Sequence, residues 1–343
     1  MLVQERGSAA QHRDRPAPRG QQHDPATTAF PKPLVPIGDE YAILEIVLRQ
    51  LRAAGFDTIT IAIGHLGQLI RAYCGDGSQW GLEIRYWDED VPLGTMGPIV
   101  ANLDDVPEHF LVMNGDVLTD LDYAWLVDEH RRRGAEATLH LIAVDDPSRF
   151  GVVDTDADGK VRQFVEKPAP GTEPTNLINA GTYVMEPSVL DRIPEGRKVS
   201  VERETFPLLV ADGNLYAVAT DDYWIDAGTP AAYLQANLDL IDGTRAAESH
   251  APAASVAEGA RVTRSCVGSG AVIEDGATVV DSVVMGGARV ESGATVRDSI
   301  VGRGSVVTAG ATVTGGTVIG HDQVVAADEV LDGAVVPDPS TWQ

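Results

Sequence analysis

The sequence predicts an α/β domain with a mostly parallel, three-layer sheet, followed by a parallel β-helix. Apolar segments with strand character alternate with amphipathic helical segments from Pro31 to about Leu240, which is typical of a parallel sheet with helices on both faces. A polar, Ala-rich linker follows at about 243–254. Beyond it, aliphatic residues recur every five or six positions, and three successive intervals sum to 17 residues. Such a repeat indicates three short strands per coil of a triangular β-helix.

The elements of the α/β domain follow from apolar periodicity and from the residues that end each segment. A helix ending near Gly55 is predicted by apolar residues on one face, namely Ile43, Leu44, Val47, Leu48 and Leu51. The next segments are predicted as the strand Thr58–Ile63, a helix at 67–74, the strand Leu82–Trp87, a helix at 97–102, the strand Phe110–Met113, a helix at 122–133 and the strand Ala137–Val144. A hairpin of Gly151–Asp154 and Val161–Glu166 extends this sheet.

The repeat also predicts which residues stack in the β-helix, at about 255–335. Equivalent positions in successive coils are Val262, Val279, Val296 and Val313, and likewise Val267, Val284, Val301 and Val318. We interpret this region as a scaffold or a platform for homo-oligomerisation. The rival interpretation, an acyltransferase site between neighbouring β-helices, would require a catalytic histidine, and His321 is the only histidine beyond the linker.

Composition limits the classes of partner. Lys and Arg total 26 against 51 Asp and Glu, a formal charge of −25, which repels nucleic acid and anionic membranes. The sequence has no stretch approaching the roughly 18 apolar residues of a membrane span and no apolar N-terminal signal. Cys74 and Cys266 have neither metal-ligand spacing nor a disulfide framework. We therefore expect a soluble, cytoplasmic protein without nucleic-acid or membrane partners.

Two apolar segments end in aspartate. Phe110–Asp116 ends in Gly-Asp, and Tyr223–Asp226 ends just before Ala227 and Gly228. Ligands of open α/β sheets bind in the crevice at the carboxyl ends of the strands, where these side chains would project. Two such carboxylates can share one Mg²⁺, which takes its remaining ligands from water and substrate phosphates. Taken singly, either aspartate could instead cap a turn.

Other polar side chains follow the later strands. Phe164–Pro168 places Glu166 and Lys167 at the end of a hairpin strand. Lys167 is suited to a phosphate and Glu166 to sugar hydroxyls, although an exposed salt bridge would use the same pair. Asn179 and Gly181 add an amide and a residue that permits close approach of a ligand.

Two more segments are suited to phosphate or base contacts. Pro31–Pro33 is predicted to hold Lys32 in an extended, rigid segment, because proline fixes its own φ and restricts the residue before it. Pro92–Gly97 is a loop punctuated by Gly94 that opens a helix, where main-chain N–H groups can contact a base or a phosphate.

Together these segments resemble the sugar-1-phosphate nucleotidylyltransferases with a C-terminal left-handed β-helix of hexapeptide repeats. The matching segments are Pro31–Gly38, Pro92–Pro98, Asn114–Asp116, Phe150–Val153, Phe164–Pro168, Ile178–Gly181 and Tyr223–Asp226. The resemblance covers the chain from about Pro31 to its end and implies a Rossmann-like nucleotidyltransferase domain at 31–242. It also implies that a sugar 1-phosphate oxygen attacks the α-phosphorus of a nucleoside triphosphate, and that pyrophosphate leaves.

The resemblance implies roles for single residues. Asp116 and Asp226 would hold Mg²⁺, and Lys32 would face the triphosphate as a further catalytic residue. The residues implied in the sugar pocket are Gly151, Glu166, Lys167, Asn179 and Gly181, with Lys167 at the sugar phosphate. Glu89 and Gly94 occupy the place where the family binds the base.

Two further segments narrow the choice of substrate. Ile178–Tyr183 and Ser200–Pro207 look most like mannose-1-phosphate guanylyltransferases, which favours GTP and GDP-mannose. A related group acts on C7-cyclitol phosphates such as valienol 1-phosphate, also with GTP, and the sequence does not separate these two. Glucose-1-phosphate enzymes using ATP or dTTP share the architecture and stay as alternatives.

The N-terminal segment, residues 1–30, departs from the family pattern. Family members open with a buried strand and a loop of the form G-G-x-G-T-R-L-x-P. Here the corresponding Ala17–Pro25 agrees only at Gly20 and Pro25, and Gln22 stands where the family has a phosphate-binding arginine. No strand is predicted at 11–16, and the composition from Gln11 onward is that of a disordered tail. The loop's N–H donors and its cation would be missing from the leaving pyrophosphate.

Three explanations account for this departure. A shifted reading frame upstream of Thr27 would replace the signature abruptly. Alternatively, the chain is a catalytically silent paralogue that binds a nucleotide sugar and regulates a partner. The third explanation is an active enzyme with a divergent loop.

Overall fold

The computed structural model describes residues 2–5, 31–38, 41–64, 66–89, 93–102, 109–194, 197–245 and 254–337. These residues form two compact units. The first contains the described residues up to Glu5 and from Ile46 to Trp224, and the second contains those from Pro31 to Glu45 and from Ile225 onward. The β-helix therefore shares its unit with the segment around Lys32 and with the helix that follows Asp226.

The elements before the β-helix alternate between strands and helices. In chain order they are β1 (Leu2–Glu5), β2 (Pro36–Ile37), β3 (Tyr41–Ala42), α1 (Ile43–Ala53), β4 (Phe56–Ile63), α2 (Gly67–Cys74), β5 (Glu83–Asp88), α3 (Gly97–Val100), β6 (Phe110–Met113), β7 (Val117–Thr119), α4 (Tyr123–Arg133), β8 (Ala137–Ala143), β9 (Gly151–Thr155), β10 (Val161–Glu166), β11 (Leu177–Met185), α5 (Phe206–Asp212), β12 (Leu215–Thr220), β13 (Trp224–Asp226) and α6 (Pro230–Ile241). Short 3-10 turns lie at Lys32–Leu34, Ser78–Trp80, Pro147–Arg149 and Pro187–Arg192.

The α/β class predicted from the alternation is confirmed. Helix α2 and strand β6 have the predicted bounds, and α1, β4, β5, α4 and β8 lie within two residues of theirs. The apolar face of α1 is fully buried at Val47, Leu48 and Leu51, as its spacing predicts. Among the described residues, no helix combines the length and the apolar character that a membrane crossing requires.

The central sheet of the first unit is mixed, whereas the alternation along the chain predicts a mostly parallel one. Its strands follow the order β10, β9, β11, β6, β1, β4, β5, and β8 pairs with β11 and β12. The pairs β4–β5 and β8–β12 are parallel. The pairs of β1 with its two neighbours, and of β11 with its three, are antiparallel. The sheet is therefore mixed because β1 and β11 run against all their neighbours, in addition to the predicted antiparallel hairpin of β9 and β10.

Strand β1 is a second departure from expectation. It lies between β4 and β6, with Leu2 paired to Thr60 on one side and to Val112 on the other. No strand is predicted in residues 1–30, because an apolar run as short as Leu2–Val3 has no periodicity to detect. Pairing on both sides supplies hydrogen bonds that so short a segment cannot supply alone. Residues 6–30, including the expected disordered tail, lie outside the described residues.

The C-terminal part of the second unit is a parallel β-helix, as predicted. Its strands are β14 (Ser255–Val256), β15 (Arg261–Thr263), β16 (Cys266–Val267), β17 (Val272–Ile273), β18 (Thr278–Val280), β19 (Val283–Val284), β20 (Arg289–Val290), β21 (Thr295–Arg297), β22 (Ile300–Val301), β23 (Val306–Val307), β24 (Thr312–Thr314), β25 (Val318–Ile319), β26 (Val324–Val325), β27 (Val330–Asp332) and β28 (Val335–Val336). Every third strand belongs to the same sheet, which gives three parallel sheets of five strands.

The predicted stacking is correct for one sheet and fails at one point in another. Val262, Val279, Val296 and Val313 pair in successive coils. Val301, however, pairs with Ile319 rather than with the predicted Val318, and Ile319 is the buried residue of the two. The corner before β25 contains both Gly315 and Gly316, where the preceding coil has Asp298 alone. This extra residue lengthens one coil from 17 to 18 residues, as the Val313–Leu331 pairing also shows.

Candidate active site

Three of the predicted site residues lie side by side on neighbouring strands. Glu166, at the end of β10, is paired with Gly151 at the start of β9. On the other side of β9, Val152 is paired with Ile178 of β11, and the same antiparallel register places Asn179 opposite Gly151. Glu166, Gly151 and Asn179 thus form a row across three strands.

Gly151 has no space for a side chain. A Cβ atom there would lie 2.6 Å from Cζ of Phe164 and 3.0 Å from Oε2 of Glu166. The Phe164 ring packs on Phe206, with ring centroids 5.1 Å apart. Glycine at this position therefore allows the Glu166 carboxylate to approach the backbone of β9 closely.

The Glu166 carboxylate is largely buried, and the ammonium group of the adjacent Lys167 is exposed to solvent. Their side chains are 18% and 61% exposed, and Lys167 Nζ lies 4.0 Å from Glu166 Oε1. Burial raises the pKa of Glu166, and the nearby negative charge of Glu202 adds to the increase. Lys167 has φ of 50°, and its N–H donates to the Phe150 carbonyl at 3.0 Å. Because non-glycine residues adopt this conformation rarely, it is often found where function fixes a side chain.

A bulge in β11 shapes the neighbouring surface. The pairing of β11 with β8 shifts between Asn179 and Tyr183, and Gly181 within it has φ of 77°. The Gly181 N–H donates to Oδ1 of Asn179 at 3.2 Å, and the Gly181 carbonyl accepts from the Asn114 N–H at 3.0 Å. A side chain at Gly181 would meet Asn114 Nδ2 at 2.7 Å. The bulge therefore connects Asn179 to the turn after β6, the turn that contains Asp116.

The fold brings Tyr183 and Glu202, which have no predicted role, to the same place. The Asn179 side chain hydrogen-bonds the Tyr183 hydroxyl, and burial raises the pKa of Tyr183, with the charge of Glu202 as a further cause. Glu202 lies in a π-helical turn, Val201–Thr205, and its Oε2 accepts from the Ser200 hydroxyl at 2.8 Å. Single π turns are frequent at functional sites. Their irregular spacing leaves no periodic signal in the sequence.

The predicted base-binding residues are engaged in holding their own loop. Oε1 of Glu89 accepts from the Leu93 N–H at 3.0 Å. Gly94 has φ of 79°, and a Cβ atom there would lie 2.4 Å from the Val199 carbonyl oxygen. The Val199 N–H donates to the Leu93 carbonyl at 3.0 Å. Glycine is thus required at position 94 for the loop to lie against Val199.

The residues predicted to bind Mg²⁺ and the triphosphate belong to both compact units. Asp116 is half-buried in the turn between β6 and β7 of the first unit. In the second unit, Lys32 Nζ donates to the Gly228 carbonyl at 2.7 Å, and the Gly228 N–H donates to Asp226 Oδ1 at 2.9 Å. Gly228 thus links Lys32 to Asp226. The sharing of one Mg²⁺ by Asp116 and Asp226 stays a prediction, and Gln22 with the rest of Ala17–Pro25 lies outside the described residues.

The conformation predicted for Lys32 is wrong. Lys32–Leu34 forms a 3-10 turn rather than an extended segment. The Leu34 N–H donates to the Pro31 carbonyl at 2.9 Å, and the Val35 N–H donates to the Lys32 carbonyl at 3.0 Å. Burial of Leu34 accompanies this turn, so tertiary packing outweighs the local preference that the following proline imposes.

Two known protein families together match most of the chain. Residues 19–243 match the family described as Nucleotidyl transferase. Residues 248–340 match the family described as GMPPB C-terminal domain. The first match alone covers more than half of the 343 residues.

Individual relatives agree with these matches. A mannose-1-phosphate guanylyltransferase of Mycobacterium tuberculosis is 42% identical over 231 residues, which cover 66% of this chain and 63% of that protein. A mannose-1-phosphate guanylyltransferase catalytic subunit beta of Drosophila pseudoobscura is 37% identical over 222 residues, covering 63% and 58%. The match thus spans less than two thirds of either relative. The crystal structure of HddC from Yersinia pseudotuberculosis complexed with GMP-PN has a TM-score of 0.54 and 26% identity, covering 64% of this chain and 95% of that one.

Proposed function

The chain belongs to the nucleotidyl transferase family, and from this premise we propose that it is a sugar-1-phosphate nucleotidylyltransferase that favours GTP. In the proposed reaction a phosphate oxygen of the 1-phosphate attacks the α-phosphorus of the triphosphate. The bond between the α-phosphorus and the bridging oxygen breaks, and pyrophosphate leaves. The row of Glu166, Gly151 and Asn179 is the observation that supports this proposal most directly.

The row is suited to a sugar or a similar polyol. Glu166 offers acceptor oxygens to ring hydroxyls, and the absence of a side chain at Gly151 lets the Glu166 carboxylate and the Phe164 ring lie against the strand. Asn179 supplies both a donor and an acceptor. The exposed ammonium group of Lys167, beside Glu166, then lies where the 1-phosphate of a bound sugar would be held.

The triphosphate would be bound by the loop around Gly94, by Lys32 and by Mg²⁺. Asp116 and Asp226 are half-buried carboxylates, the ligand type that Mg²⁺ prefers. When bound, the ion would neutralise charge on the phosphate oxygens. The protein's own contribution is positional: Lys32 is held by Gly228 next to Asp226, and Glu89 holds the start of the base-binding loop.

We propose mannose 1-phosphate, or a C7-cyclitol 1-phosphate such as valienol 1-phosphate, as the acceptor. The 42% identity to a protein named mannose-1-phosphate guanylyltransferase supports the first, with GDP-mannose as product. The neighbouring structure with GMP-PN is compatible with a guanine nucleotide. Glucose 1-phosphate with ATP or dTTP is the competing assignment.

A matrix of triphosphates and 1-phosphates, with pyrophosphate release as the readout, tests this assignment. GTP with mannose 1-phosphate or valienol 1-phosphate should give turnover that requires Mg²⁺. Turnover with ATP or dTTP, but not with GTP, would contradict the guanylyltransferase assignment. Asp116→Asn should abolish turnover, because the amide lacks the charge that holds the ion.

The second candidate is a catalytically silent subunit that binds a nucleotide sugar and regulates a partner. The observation that favours it is the departure of Ala17–Pro25 from the family's phosphate loop. It predicts binding of GDP-mannose in calorimetry without pyrophosphate release from any substrate pair.

Restoring the loop separates the two candidates further. Replacing Ala17–Pro25 by G-G-x-G-T-R-L-R-P returns N–H donors and one arginine to the leaving group, while leaving β1 intact. Since one lost transition-state donor costs about 10²- to 10³-fold, turnover should rise by two orders of magnitude or more. An unchanged rate in an active protein would show that the native segment already performs the loop's task.

A further inference from the structure

A cluster of two histidines and one glutamate lies at the opposite end of β6 from Asp116. The ligand atoms of His109, His130 and Glu186 all lie within 4.8 Å of one another. His109 immediately precedes β6, whereas Asp116 follows its carboxyl end. The two sites are therefore separated by the length of the strand, roughly 13 Å or more for four residues.

The fold brings the three side chains together from separate elements. Met185 pairs with Phe110 in the β11–β6 ladder, and the same register places Glu186 opposite His109. The Glu186 N–H donates to the Glu136 carbonyl at 2.9 Å, which holds its backbone in place. His130 enters from helix α4. The cluster is thus built on a strand pair and a helix rather than on one mobile loop.

The three ligand atoms converge on one point. Nδ1 of His109 lies 2.7 Å from Oε1 of Glu186, and Nε2 of His130 lies 3.1 Å from the same oxygen. Ligands of a tetrahedral zinc ion are roughly 3.3 Å apart, given metal–ligand distances of about 2.0 to 2.1 Å. Each nitrogen needs to move only some tenths of an ångström away from this oxygen to admit an ion, and the two nitrogens lie within 4.8 Å of each other.

The second nitrogen of His130 is also engaged. Its Nδ1 lies 2.9 Å from the Thr138 hydroxyl on β8, and His130 is 1% exposed. Histidines that bind metals typically use the other ring nitrogen for such a bond, which fixes the ring and directs the free nitrogen at the ion. His109 and Glu186 are 33% and 27% exposed, so the cluster is open to solvent on one side and an ion has a path of entry.

We propose that His109, His130 and Glu186 form a binding site for one divalent transition-metal ion, with Zn²⁺ as the reference ion. Two imidazoles and one carboxylate suit zinc and its neighbours in the series rather than Mg²⁺, which prefers oxygen ligands alone. Water from the open side completes the coordination. The site is independent of the proposed nucleotidyl transfer, and it joins β6, β11 and α4 through the ion.

Calorimetry of the full-length, untagged, chelator-treated protein with ZnCl2 tests the site, with excess Mg²⁺ present to occupy carboxylate-only sites. One Zn²⁺ should bind per chain. Glu186→Gln and His109→Ala should each weaken binding by at least tenfold, and Thr138→Val by about 10- to 100-fold as the loss of a supporting bond. His321→Ala, which removes a histidine of the β-helix outside the cluster, should bind as the native chain does.

Two readouts protect the test against misfolding. The decisive variants are those of His109 and Glu186, because His130 and Thr138 are buried. Circular dichroism and the metal-free melting temperature of Glu186→Gln and His109→Ala should match the native chain. Zn²⁺ should raise the melting temperature of the native chain and of His321→Ala by several degrees, but not that of His109→Ala. Absence of Zn²⁺ binding, or equal affinity in Glu186→Gln and the native chain, would overturn the proposal and leave only a hydrogen-bonded triad.

Discussion

At the scale of single residues, Glu166 and Lys167 offer a direct test of the sugar pocket. Glu166→Gln keeps the shape of the side chain but removes the charge from a largely buried acceptor. A hydrogen bond to a charged group contributes about 1.5 to 3 kcal/mol, so KM for the 1-phosphate should rise roughly 10- to 150-fold. Lys167→Met should raise the same KM through loss of the phosphate contact. KM for GTP should change little in either variant.

The matched control removes a carboxylate that lies elsewhere. Glu83→Gln on β5 neutralises a side chain that is 60% exposed and pairs with the neighbouring Arg85. Its kinetic constants should equal those of the native chain. If Glu166→Gln behaved like this control, Glu166 would have no contact with the acceptor.

His140 should make stability depend on pH. It is fully buried on β8, its Nε2 lies 2.8 Å from the Thr220 hydroxyl, and burial lowers its pKa to about 4. The unfolded chain, with a histidine pKa of about 6.5, therefore binds the proton first as pH falls. The stability from the neutral imidazole is complete above pH 6.5 and is lost progressively towards pH 4.

Urea unfolding at pH 7.5 and pH 5 measures this loss. Protonation of His140 should lower the free energy of unfolding by about 2 kcal/mol between pH 7.5 and pH 5, since one pKa unit equals about 1.4 kcal/mol. His140→Gln, which cannot titrate, should lose about that much less stability between the two pH values. The contributions of other histidines, His130 included, cancel in the comparison. Equal losses in both proteins would show that His140 is protonated as easily in the fold as outside it.

Site residues that belong to sequence motifs could be predicted from the sequence. Residues that only the fold brings to the site could not. Glu166 ends and Gly151 begins a strand of the predicted hairpin, so their positions could be inferred, whereas Asn179 lies inside β11, a strand that was not predicted. Their alignment in one row depends on the order of β10, β9 and β11, which the spacing along the chain does not encode. Glu202 approaches the row from a π turn with no periodic signal, and so could not be inferred.

At the scale of elements, β1 provides the sharpest test of the sheet. Val3 is paired with Ile59 and with Leu111, so Val3→Pro removes a backbone donor from a central strand. Proline inside a sheet or helix costs about 3 kcal/mol or more, which corresponds to a fall in Tm of roughly 6 to 12 °C. Val3→Ile, which keeps the N–H, should melt close to the native chain. A proline variant with native Tm would exclude Leu2–Glu5 from the centre of the sheet.

Elements with a long apolar pattern were predictable, and short ones were not. α1 and β4 have eight or more residues and a clear period, and their existence and bounds follow from it. β1 has four residues and is specified by its two partners. The β-helix shows the same limit, because its period predicts the stacking up to the corner at Gly315 and Gly316, where one extra residue shifts Ile319 into the core in place of Val318.

At the scale of the whole molecule, the charge of −25 should control self-association. We expect homo-oligomers through the β-helix, but each added copy brings the same negative charge. The Debye length falls from about 30 Å at 0.01 M salt to about 8 Å at 0.15 M, so repulsion between copies weakens with salt. Light scattering should show a mass that rises with ionic strength towards a multiple of 36.4 kDa. A mass of one chain at every salt concentration would contradict the oligomer.

The central position of β1 also affects when the sheet can be completed during synthesis. During synthesis β1 is made before the other described strands, yet one of its two partners, β6, lies about 110 residues later, since Leu2 pairs with Val112. At about 5 to 20 residues per second, the ribosome needs roughly 5 to 20 s to produce that partner. Throughout this interval the middle of the sheet is open on one side, with strand edges that can recruit another chain.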